Sequence, residues 1–87
     1  GAKHYKEFKK IGAELVALID EELSTEQQER AILEKRISET DKVLPTVTSK
    51  AMQADLRNEK GRMQQRLSEL ASRHDFLLKE KERFKVE

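Results

Sequence analysis

The chain contains no cysteine. That excludes disulfides and thiolate metal sites, and it fits an intracellular, cytoplasmic protein. Tryptophan is absent too, and aromatics make up only 5% of the residues. So few rings leave little with which to stack nucleobases. No apolar run approaches the length that spans a bilayer, and no secretory signal pattern is present. Neither sign of charge prevails: 18 basic residues stand against 17 acidic ones, for a net charge of +1. No bulk attraction to nucleic acid or to a membrane surface follows from that balance. Glycine occurs three times and proline once, as Pro45.

What remains is charged and suited to helix. The chain is 40% charged and 36% hydrophobic over 87 residues. This composition is poor material for a globular core and typical of long, surface-rich helices in a single domain. Gly1-Ala2 reads as a cloning scar. The terminal "KERFKVE" stops inside a helical pattern, so residues 3–87 are expected to be one helical unit excised from a longer protein.

The second half carries the strongest pattern. Leu56, Met63, Leu70, Leu77 and Phe84 recur every seven residues. Gln53, Lys60, Leu67, His74 and Lys81 interleave with them at the other seam position. A strict seven-residue repeat marks a left-handed coiled coil. Gly61 costs about 1 kcal/mol relative to alanine inside a helix, yet the repeat passes it in phase. The expectation is one helix over about 48–85.

The first half is less regular. Tyr5, Phe8, Ile11, Leu15, Leu18, Ile19, Leu23, Leu33, Ile37 and Leu44 follow three-four spacing, with a polar gap from Ser24 to Arg30. One helix over about 4–42 is expected. The competing reading is a three-helix bundle broken near Ser24, which has Gln27 three residues on, as a capping box requires.

Pro45 removes a backbone donor and pushes Leu44 out of helical geometry. Thr46, Thr48 and Ser49 then offer caps for the next helix. With arms of equal length, the expected fold is all-α: an antiparallel two-helix coiled-coil hairpin with its turn at Pro45, over 43–47. Facing residues in such a hairpin have numbers of nearly constant sum. A sum of about 92 sets Phe8 by Phe84, Leu15 by Leu77, Leu23 by Leu70 and Ile37 by Leu56. It also sets Glu29 by Arg62, Glu26 by Arg66 and Glu34 by Arg57, and it brings Ala31 beside Gly61. The predicted seam is therefore Phe8, Ile11, Leu15, Leu23, Leu33, Ile37, Leu56, Met63, Leu70, Leu77 and Phe84.

Apolar residues are densest at the end away from the turn, over a face wider than one neighbouring helix covers. Val16, Ile19, Ala71 and Leu78 are the expected partner-binding residues there. The partner is another protein or a second copy, with a homodimer favoured and a four-helix arrangement as its form. The same end is basic. Lys6, Lys9, Lys10, Lys81, Arg83 and Lys85 are candidate contacts for an anion, although Glu7, Glu80, Glu82 and Glu87 offset them.

Chemistry-bearing patterns are absent. His4 and His74 are too few and too distant for a metal, and the acidic run from Asp20 to Glu29 lacks the oxygen-rich loop of a calcium site. "SRHD" at 72–75 cannot converge as a triad on one helix, and "NEKGR" at 58–62 has too few glycines for a phosphate nest. No enzyme activity, cofactor, metal or small-molecule substrate is expected. The general shape resembles the antiparallel helical fingers of some small-GTPase effectors and the coiled-coil arms of cytoskeletal and trafficking scaffolds. That likeness is one of architecture, and it assigns no residue a role. The reading is a non-enzymatic interaction or scaffold module, with a nucleic-acid- or membrane-surface-binding arm as the alternative.

Overall fold

Pro45 ends the first helix by tightening it rather than by breaking it. In the computed structural model, which describes the backbone of residues 2–85 and the side chains of residues 9–85, helix α1 spans Ala2–Val43. It passes directly into a 3₁₀ turn at Leu44–Thr46. Proline is tolerated there because the first N–H groups of a helical turn lack intrahelical acceptors anyway. The Thr46 hydroxyl donates to the Val43 carbonyl at 2.6 Å, and Val47 leaves the turn with extended backbone.

Helix α2 spans Lys50–Phe84. Ser49 caps it, accepting a hydrogen bond from the Met52 N–H at 3.3 Å. This satisfies one of the orphan donors of the first turn. The Gln53 amide donates across the turn to the Val47 carbonyl. Lys81 and Arg83 lie in the last turn of α2, where cations oppose the negative end of the helix dipole.

The two helices pack antiparallel as an all-α hairpin measuring 72 × 15 × 15 Å between Cα extremes. No strand occurs among the described residues. Helix α1 continues through Ser24 without a break, so the three-helix alternative is not adopted. Ser24 does not act as a cap, and the neighbouring Thr25 hydroxyl instead donates back to the Glu21 carbonyl at 3.0 Å.

Burial follows the seven-residue repeat along α2. Met63, Leu70 and Leu77 are the buried apolar side chains among the described residues. Gln53, Leu56, Lys60, Leu67, His74, Lys81 and Phe84 are half-buried between and beyond them. The matching rows of α1 are Gly12, Val16, Ile19, Leu23, Glu26, Leu33, Ile37, Thr40 and Leu44, each buried or half-buried.

Two expectations need correction. Ile11 is not a seam residue: it is 56% exposed, and buried Gly12 occupies the seam instead. Traced back from Leu44 in alternating steps of four and three, the seam reaches Leu23, Ile19, Val16 and Gly12. Reaching Leu15 from Leu23 takes two consecutive steps of four, and Ile11 a third, which winds off the seam. Leu15 is accordingly half-buried at the seam's edge. Phe8 lies outside the described side chains.

The register is also displaced by about one helical turn. Arg66 meets Glu29 at 2.9 Å rather than Glu26, and Glu34 pairs with Arg30 inside α1 rather than with Arg57. The cause is the 3₁₀ turn. It prolongs the first arm to Thr46, so the chain reverses at 47–49 rather than at Pro45. Ala31 and Gly61 are both exposed, and a methyl group added at Gly61 would meet nothing within 4 Å. The glycine therefore serves no close approach of the backbones.

Candidate functional site

Polar residues interrupt the apolar rows of the seam, and Glu26, Lys60 and Lys81 find partners on the opposite arm. Lys60 reaches Asp41 and Lys81 reaches Asp20 at 2.8 Å, along one side of the hairpin. Along the other side Arg66 forks onto Glu29, and Arg73 bonds Glu22 at 3.3 Å and also Glu26. Each exposed pair is worth only about 0.2–1 kcal/mol. Their value lies in fixing register, because a slip of one turn separates all of them.

The hydrogen bonds that Arg66 donates to Glu29 hold its guanidinium pKa above the ordinary value, with a smaller contribution from Glu69. The hydrogen bond that Arg73 donates to Glu26 does the same for Arg73, with Glu22 adding to it. A folded-state value raised above the unfolded one contributes stability below the unfolded value and loses it as pH rises through the folded value. For both arginines that loss falls above the ordinary guanidinium range, so neutral and mildly alkaline pH leaves these links intact.

Glu26 is the buried charged residue among those described, 8% exposed and directly in the seam. One carboxylate oxygen accepts from Arg73, and the other has no hydrogen-bond partner. Leu70, 2% exposed and the most buried apolar side chain among the described residues, shares with it a cavity of about 10 Å³, together with Arg30 and His74. That volume is near the minimum for a single water, so the layer has no room for a small-molecule ligand. The acidic run was expected to be a solvated face. Glu26 departs from that because it lies seven residues from both Ile19 and Leu33, on the row that faces α2.

The open end differs from the layer beneath it. Phe84, Val16 and Ala13 line an open groove there together with Lys9 and Lys85. Val16 and Ile19, expected to face a partner, are half-buried in the seam and so are largely covered by α2. Ala71 and Leu78 do face outward, on the side of the Asp20–Lys81 pair. Among the described large apolar residues at this end the most exposed are Leu18 at 60% and Phe76 at 58%, neither of which was anticipated as a binding residue. The signal for Phe76 was present in "DFLLK": three consecutive apolar residues on a helix point 100° apart, so only Leu77 can enter the seam.

The basic residues at this end are partly committed to acids. Lys81 is a seam residue paired with Asp20. Arg83 lies 3.8 Å from Glu80 and stacks 5.6 Å from the centre of the Phe84 ring. Lys9, Lys10 and Lys85 are exposed, and Lys6 lies outside the described side chains. Among the described residues no group of three or more His, Cys, Asp or Glu is arranged to hold a metal, and no helix is long and apolar enough to cross a membrane. Comparison with protein families, curated proteins and solved structures finds no match.

Proposed function

We propose that the hairpin is a non-enzymatic protein-interaction or scaffold module that works by coiled-coil helix packing. The observation that carries this reading is the uneven placement of apolar surface. Among the described residues three apolar side chains are buried between the arms, while Ile11, Leu18 and Phe76 stand exposed toward the open end. Apolar anchors framed by charged rows suit the recognition of another helix, with packing supplying affinity and charge supplying orientation.

The alternative, an arm that binds phosphates on nucleic acid or a membrane surface, draws less support. Lys81 and Arg83 already face Asp20 and Glu80, which lowers the field that the remaining lysines present. Salt separates the two readings. Affinity of the chain for its partner should stay nearly constant as salt rises and should fall in Leu18→Glu. Steep weakening with salt, with Leu18→Glu indistinguishable from wild type, would favour the phosphate-binding arm instead.

A further inference from the structure

Leu15, Glu22 and Glu29 on α1, with Arg66 and Arg73 on α2, line one side of the hairpin, closed by the Glu22–Arg73 and Glu29–Arg66 pairs. Three residues beyond three of these positions stand Leu18, Ile32 and Phe76, following Leu15, Glu29 and Arg73 respectively. All three are more than half exposed. An equal step from equivalent positions turns each side chain outward by the same angle, so they share that side. Ile11 joins them, seven residues before Leu18. The remaining position of this row is Thr25, whose hydroxyl is already satisfied by the Glu21 carbonyl. The row from Ile11 to Ile32 is thus without an unsatisfied polar group for about 30 Å.

Resting on the interaction reading above, we propose that this side packs against a second copy of the chain. Area argues for it. The chain exposes 6972 Å², whereas a globular monomer of 10.1 kDa exposes about 5,300 Å². A standard interface removes about 800 Å² from each partner. Two helices side by side present a face about 20 Å wide, so about 40 Å of length supplies that area. The row and its flanks cover that length within the 72 Å rod. Charge does not oppose it: net charge is +1, and the side alternates acid with base, so two copies meet without a like-charged field. A two-fold axis is the simplest operator for such a self-meeting face, and it yields four helices in contact.

Sedimentation equilibrium tests the assignment. The wild-type chain should reach dimer at high concentration. Leu18→Glu combined with Phe76→Glu should weaken the dimer by about 100-fold or more while helicity by circular dichroism is kept. Leu78→Glu, on the opposite side, should leave dimerisation within about threefold. Because the chain has no cysteine, Thr25→Cys can be oxidised as a reporter. It should form disulfide-linked dimers faster than Ser68→Cys, which lies on the other side. A chain that stays monomeric into the millimolar range overturns the assignment, as does loss of the dimer in Leu78→Glu but not in the double variant. In the monomeric case, capture of a different protein by wild type and not by the double variant would leave the interaction reading standing. A double variant that captures it equally well would remove both.

Discussion

Single residues divide into those that hold the seam and those that fix how it is aligned. Leu70 belongs to the first kind, and Leu70→Ala should cost about 2–5 kcal/mol, as truncation of a buried leucine does. Glu26, in the same layer, belongs to the second. Its unpartnered oxygen carries a desolvation cost that no hydrogen bond offsets. Glu26→Leu should therefore raise stability by about 1 kcal/mol, read as a higher urea midpoint, since Arg73 keeps Glu22 as partner. A lower midpoint would show that the Glu26–Arg73 bond outweighs the buried charge. Gly61 lies at ordinary helical φ with open space around its Cα. Gly61→Ala should add up to about 1 kcal/mol by the helix-propensity difference alone, and thermal unfolding followed by circular dichroism reads it.

At the scale of elements, the turn decides most. Ser49 supplies the cap of α2, and Ser49→Ala should lower stability by about 1 kcal/mol. No change in the denaturation midpoint would mean that Thr48 or solvent replaces the cap at no cost. The second helix was legible in the sequence because its repeat of seven never slips, even where lysine or histidine occupies the seam. Its pairing with a first helix was legible from the single proline and the equal arms. Two features of the first helix were not. The first-helix row is hidden because Gly12, Glu26, Arg30 and Thr40 interrupt its apolar run, while Ile11 and Leu15 offer a brighter stripe nearby. The register escaped because a proline signals where a helix must change, not how many residues the chain spends before reversing. Here a 3₁₀ turn of three residues moved every facing pair by about one turn.

The whole molecule is a rod. Its Cα radius of gyration is 20.1 Å, against about 12 Å for a globular chain of this length. Small-angle scattering at low concentration should return the larger value, with a pair-distance function that tails toward 72 Å. Spin labels at Ser24 and Ser72 should lie about 10–20 Å apart, as on neighbouring helices. A single straight helix would hold them about 72 Å apart, and that distance would exclude the hairpin.

The cluster of hydrogen bonds at the closed end also sets an order of events in time. Thr46, Val47, Ser49 and Gln53 secure the reversal through bonds spanning at most six residues. Every further pairing along the seam closes a slightly longer loop onto a strip already in place, at small added entropy. Folding should therefore zip from the reversal toward the chain ends, and breathing should run the other way. Weakening the reversal with Ser49→Ala should mainly slow folding, whereas Leu77→Ala should mainly speed unfolding. Amide exchange should then quicken from the reversal outward, and the outermost turns would open first when anything competes for their apolar surface.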